Sequence, residues 1–165
     1  MPPMIPANFE VITIRYLKEE DHAAYVALEK DAAVKLYVSG PSPKTEQELF
    51  SDLRRYQPST EVLAIVETIS NQFIGRCGLL PIRNSSESEI YCLLAESHWG
   101  KGIGEIVFSF LARLASHQGK TAVGVVHPEN KRSLALLKKL GWVAIGTLSE
   151  PGKQQGHLRY VERNV

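Results

Sequence analysis

From Phe9 to Leu17 the chain reads FEVITIRYL, alternating apolar and polar side chains at the period of a half-buried strand. KEEDHAAYVALEKD then sets Tyr25, Leu28 and nearby alanines at helical spacing. Glu19, Glu20 and Asp21 fall at that helix's N-terminal end, whose partial positive charge favours them. VSGPSPKT is turn punctuation. TEQELFSDLRRY, Thr45–Tyr56, predicts a second short helix capped by Thr45 with Glu48 three residues on. EVLAIVE and QFIGRCGLLPI predict two strands joined by TISN, and ESEIYCLLA predicts another. The helix after WGKGIG carries Ile106, Val107, Phe110, Leu111 and Leu114 on one face. KTAVGVV reads as a buried strand. HPENKRSLALLKKLGW opens on a Pro–Asn start signal and closes on Gly141 as the residue after the helix cap. WVAIGTLS and GHLRYVER are the last strands, around the turn EPGKQQ. The order β-α-α-β-β-β-α-β-α-β-β predicts an α/β domain, a mixed sheet with helices on its faces. No repeat, low-complexity block or linker divides residues 1–165, and residues 1–8 are expected to form a loose tail.

Composition narrows the class. A chain of 165 residues suits one core, and 44% apolar with 22% charged residues is ordinary for a soluble globular protein. A net charge of +1 argues against broad nucleic-acid binding. No apolar run approaches the roughly 20 residues of a membrane span. MPPMIPANF lacks a basic stretch followed by an apolar core, so no signal peptide is read and a cytoplasmic location is expected. Cys77 and Cys92 lie in strand-like stretches without a CxxC pair, which predicts buried free thiols and no metal site.

WGKGIG places Gly100, Gly102 and Gly104 at every second position ahead of an amphipathic helix. This is neither a GxGxxG dinucleotide fingerprint after a first strand nor a GxxxxGK[ST] loop. A helix start still offers unpaired N–H groups, and glycines let a phosphate approach them. The backbone of Gly100, Lys101, Gly102, Ile103 and Gly104 could therefore hold a pyrophosphate, or the glycines could serve only a tight turn.

A strand, this glycine segment, a helix, a strand, then N-x-x-S ahead of a helix ending in Gly-aromatic together resemble the GNAT superfamily of acetyl-CoA-dependent N-acetyltransferases. EIYCLLAESHWGKGIGE and NKRSLALLKKLGW are most similar to the branch that includes the ribosomal-protein N-terminal acetyltransferases. The likeness spans about Phe9 to Val161, and its specific part is Glu87 to Trp142. Two positions depart from the pattern. Trp99 stands where the superfamily has Arg or Gln, although this branch often has an aromatic there, and Gly156 replaces an acid of the branch's D-h-x-x-Y run.

The resemblance implies a mostly antiparallel twisted sheet in which two central parallel strands, EIYCLLA and AVGVV, splay around acetyl-CoA. Leu93, Leu94 and Ala95 would offer backbone groups to the pantetheine and thioester, with an N–H near Leu94 stabilising the oxyanion. Ser133 would sit near the sulfur as proton donor to the thiolate, and Asn130 would be a helix cap or a cofactor contact. Lys131, Arg132, Lys138 and Lys139 make a basic surface that could attract a phosphate. The acceptor must be a neutral amine, and amines with pKa near ~8 to ~10.4 are mostly charged at pH 7, so a general base helps. Glu89 is the candidate base, with His98, His127 or water as rivals; His22, His117 and His157 are read as surface residues. Direct attack needs no protein nucleophile.

The reading is acetyl transfer from acetyl-CoA to a primary amine on a protein N-terminus, a lysine or a small molecule. The acceptor would be chosen by the Tyr37–Pro43 loop, RRYQPS and the last hairpin. No nucleic acid, membrane or metal is expected, and a homodimer fits the family habit. A noncatalytic CoA-binding module is the alternative.

Overall fold

A computed structural model describes residues 3–38, 44–147 and 157–162. In chain order they form β1 (Ala7–Asn8), β2 (Ile12–Tyr16), α1 (His22–Lys30), α2 (Ala32–Lys35), α3 (Glu46–Arg55), β3 (Leu63–Glu67), β4 (Phe73–Pro81), β5 (Glu87–Leu94), α4 (Ile103–His117), β6 (Thr121–Val126), α5 (Lys131–Lys139), β7 (Val143–Thr147) and β8 (Leu158–Val161). The strands make one sheet in the order β1-β2-β3-β4-β5-β6-β8-β7. Each neighbouring pair is antiparallel except β5–β6, which is parallel. This is the mixed sheet that the sequence predicts.

The expected loose tail is corrected. Ala7 and Asn8 pair with Ile14 and Thr13 as an edge strand, and Ile5, Ala7 and Phe9 pack against the core. The added helix α2 was also not predicted. Asp31 starts it by accepting from the N–H groups of Ala33 and Val34, and Val34 is buried. The turn EPGKQQ lies outside the described residues.

The two sheet faces bury different sets. On one, α4 and α5 cover Ile65, Leu79, Ile90, Ala122 and Val126 with Val107, Leu111 and Leu137. On the other, α1 to α3 bring Tyr25, Val26, Leu49 and Leu53 against Val62, Ala64 and Val66. Each such aliphatic side chain fully withdrawn from water stabilises the fold by roughly 1.5–3 kcal/mol. Ile106, expected on the core face of α4, is only half-buried at its margin, while Phe108, Ala112 and Ala115 are buried.

Local signals set the helix ends. Thr45 and Glu48 exchange side-chain hydrogen bonds with each other's backbone N–H, a complete capping box for α3. After α5 the N–H of Gly141 donates to the Lys138 carbonyl and that of Trp142 to the Leu137 carbonyl, the paired bonds of a left-handed helix stop. Gly141 has φ of 76°, as this stop requires.

Cys77 and Cys92 face each other across the β4–β5 ladder as free thiols. Burial pushes Cys92 up to about 12 and Cys77 well above its ordinary value, so neither is a ready nucleophile. Cys92 is half-buried and Cys77 fully buried.

Candidate active site

The parallel ladder between β5 and β6 runs only from Glu87↔Thr121 to Ile90↔Gly124. Beyond it β5 keeps pairing with β4 as far as Leu94↔Gly75, and β6 keeps pairing with β8 as far as Val126↔Leu158. The two strands therefore part company at their C-terminal ends. The five residues Tyr91 to Ala95 are each only half-buried, as the wall of an opening would be. Ala95 donates its N–H to the Ile74 carbonyl on β4. Backbone groups alternate along a strand, so those of Leu94 and Cys92 are directed to the other edge, into the opening. The Leu94 carbonyl there accepts from the indole N–H of Trp99 at 2.9 Å.

The glycine segment stands at the mouth of this opening. Gly102 is the residue before α4, in the left-handed region at φ 77°, and no side chain caps the helix. The first N–H groups of a helix of 15 residues are thus left for a ligand or water. Gly100 is left-handed too, at φ 72°, and a Cβ at either position would meet nothing. Gly104 differs. A Cβ there would lie 3.0 Å from Cδ2 of Leu136, so this glycine lets α4 approach α5. Two of the three glycines shape the turn and the third sets a helix contact.

Trp99 joins three elements. Besides its bond to Leu94, its ring lies 3.2 Å beneath the guanidinium carbon of Arg132 in the first turn of α5. Burial against the ring holds the Arg132 pKa below its ordinary value. Lys139, read as part of a basic surface, pairs with Glu105 of α4 at 2.7 Å. Lys131 and Lys138 remain exposed.

Asn130 caps α5: its Oδ1 accepts from the Ser133 N–H at 3.2 Å. The Ser133 hydroxyl has no protein hydrogen-bond partner among the described residues. Glu89 lies on β5 opposite Val123 of β6, five residues before Leu94. That is about 16 Å along an extended strand. A base at Glu89 would reach a thioester beside Leu94 only through water.

The histidines sort differently from their sequence reading. His98, a rival base in the sequence, is engaged at both ring nitrogens: Nε2 lies 2.7 Å from Glu67 Oε1 and Nδ1 lies 2.8 Å from Ser97 Oγ, tying the glycine segment to the end of β3. The His98 hydrogen bond holds the Glu67 carboxyl below its ordinary value. His127 follows β6, and its Nδ1 accepts from the Glu129 N–H at 3.1 Å. A backbone amide can only donate, so Nδ1 is unprotonated and Nε2 carries the hydrogen of the neutral ring. His127 thereby presents Nε2 away from the Glu129 backbone. His22 and His157 are corrected from surface residues. His22 packs edge-on to Phe50, and its Nδ1 is buried without a partner. His157 is edge-on to His127, with ring centroids 5.0 Å apart. No local pattern marks His157, because its neighbour is 30 residues away in sequence. Gly156 and residues 39–43 of the Tyr37–Pro43 loop lie outside the described residues.

The model of the acetyltransferase (GNAT) domain family matches residues 12–143. The chain belongs to the GNAT acetyltransferases. Its fold is similar to that of a GNAT acetyltransferase from Bacillus anthracis, at 17% identity and a TM-score of 0.76, covering 93% of each chain. A spermidine N-acetyltransferase from Vibrio cholerae, solved with CoA and spermine, aligns at 18% identity and a TM-score of 0.77, covering 93% of this chain and 97% of that one. RimL, a ribosomal alpha-N-protein acetyltransferase, aligns at 16% identity and a TM-score of 0.72, covering 95% and 92%. No curated protein matches the chain. GNAT enzymes use acetyl-CoA as donor, and the residues here fit it: an uncapped helix start for the pyrophosphate and an open strand edge for the pantetheine. Among the described residues no three His, Cys, Asp or Glu side chains cluster to hold a metal, and no helix is long and apolar enough to cross a membrane.

Proposed function

We propose that the protein transfers an acetyl group from acetyl-CoA to a primary amine by direct attack in a ternary complex. The observation that carries this is the end of the β5–β6 ladder at Ile90↔Gly124 beside the uncapped start of α4. Acetyl-CoA supplies a thioester carbonyl. The N–H groups at Gly102 to Gly104 bind the pyrophosphate, and the β6-facing edge of Cys92 to Leu94 holds the pantetheine by strand-like hydrogen bonds. The Leu94 N–H donates to the carbonyl oxygen as it gains negative charge. Removal of one such donor costs ~10²–10³ in rate. Glu89 receives the amine proton along a chain of waters, since it stands about 16 Å from Leu94 along the strand. Ser133 donates to the departing sulfur from the first turn of α5.

A thiol-release assay with acetyl-CoA against a panel of primary amines tests the reading. Release that depends on the amine supports it. Tight CoA binding with no amine-dependent release would instead support a noncatalytic CoA-binding module. Support for the acceptor class comes from two fold relatives only, one acting on spermidine and one on a ribosomal protein.

A further inference from the structure

On the α1–α3 side of the sheet, past the last β6–β8 pair Val126↔Leu158, His127 and His157 meet at right angles. The Tyr37 ring lies 5.1 Å from His127. The parallel register carries His127 level with Leu93, three residues on from the pair Ile90↔Gly124, so the imidazoles stand across the opening from the thioester edge. Both ring nitrogens of His157 are buried without a hydrogen-bond partner. A neutral imidazole has one N–H and one lone pair, and burying either unmet is unfavourable. Such a cost is removed if the partner arrives with a substrate. His127 adds a second donor, because the Glu129 N–H fixes its hydrogen on Nε2.

We propose that His127 and His157 form a subsite for an oxygen that the acceptor carries beside its amine, either a carbonyl or a carboxylate. Two N–H donors suit an oxygen with two lone pairs, and the second nitrogen of His157 accepts an N–H from the same molecule. Tyr37 stands against His127. The inference rests on the acetyl-transfer reading.

The test compares alaninamide, alanine and isopropylamine as acceptors, with rates expressed per neutral amine because their basicities differ. Alaninamide or alanine is expected to exceed isopropylamine by at least about tenfold in kcat/KM, the scale of one charge-free hydrogen bond or slightly more. Preference for alaninamide assigns a carbonyl, and preference for alanine a carboxylate. His127→Phe keeps a ring against Tyr37 but removes the donor. It should raise KM for the favoured acceptor and bring its kcat/KM down toward that of isopropylamine, whereas His127→Gln, with an N–H at the same reach, should keep the preference. Equal kcat/KM for all three acceptors overturns the subsite while leaving acetyl transfer standing. If no amine releases thiol, acetyl transfer falls, and the subsite is then judged by binding. In the CoA-bound protein labelled with ¹⁵N-histidine, alaninamide or alanine should shift the His127 and His157 imidazole nitrogens and isopropylamine should not. Unmoved nitrogens, or a His127 protonated on Nδ1, would overturn it.

Discussion

Trp99 reaches back five residues and donates its indole N–H to the carbonyl of Leu94 at 2.9 Å. In the proposed mechanism the N–H of the same residue would face the oxyanion, so the indole would hold that edge in place during the reaction. Trp99→Phe keeps the ring under Arg132 but leaves that carbonyl without its donor. Loss of one such bond is worth about 1 kcal/mol, or about fivefold. The loss should appear in the single-turnover rate more than in CoA affinity measured by calorimetry. A mutant weakened only in CoA binding would show that Trp99 serves the phosphate end alone.

Gly102 and Gly104 should separate on mutation. Gly102→Val puts a β-branched residue at φ 77° where the pyrophosphate approaches, and CoA should bind at least about tenfold more weakly. Gly104→Ala adds a methyl 3.0 Å from Cδ2 of Leu136, so its effect should fall on stability and helix packing, not on CoA affinity. Leu136→Ala should restore part of the lost stability in the double mutant. Urea melts and CoA titrations of each variant make the comparison.

Ser133→Ala and Glu89→Gln probe opposite ends of the proton path. Ser133→Ala leaves the Asn130 cap intact and should lower kcat with little change in CoA affinity. Glu89→Gln should lose activity chiefly at low and neutral pH and recover in part as pH approaches the acceptor's own pKa, where free amine needs no base. A uniform loss across pH would mean that Glu89 positions the acceptor without taking its proton.

Glu29 bridges α1 to Arg76 of β4 and to Lys35, and Arg76 lies over the Tyr91 ring. Burial alone would raise the Glu29 carboxyl, but the Arg76 charge and hydrogen bond, with Lys35, outweigh it and hold the pKa below its ordinary value. A lowered folded pKa stabilises the fold above the unfolded value near ~4.3, and that stability is lost as pH falls through the folded value. Glu29→Gln leaves the Arg76 charge buried and unpaired, a cost of about 3–5 kcal/mol at pH 7. Its stability should also change less than wild type between pH 5 and pH 2 by thermal melts, since the titrating group is gone.

The hydrophobic pattern placed most strands and helices because each buries one face, and period alone reports that. It missed β1, whose two residues are held by pairing with β2 and not by their own alternation. It missed α2, whose four residues make barely one helical turn and which starts on the Asp31 side chain. The glycine segment was legible as a turn before a helix. That Gly104 serves helix contact was not, because Leu136 lies 32 residues away. Asn130 could be read as a cap because the cap is local. His98 and His157 could not be placed, since Glu67 and His127 come to them through the sheet.

Only four residue pairs, Glu87↔Thr121 to Ile90↔Gly124, stitch β1–β5 to β6–β8. The molecule is thus two half-sheets sharing a short seam, with α4 laid across the back. A pantetheine arm hydrogen-bonded along Cys92 to Leu94 would lengthen that seam as an extra stitch. The donor is then a mechanical part of the enzyme as well as a reagent. Amide hydrogen exchange along β8, which lies behind β6 from the bound molecule, should slow when CoA enters and quicken again when the product departs.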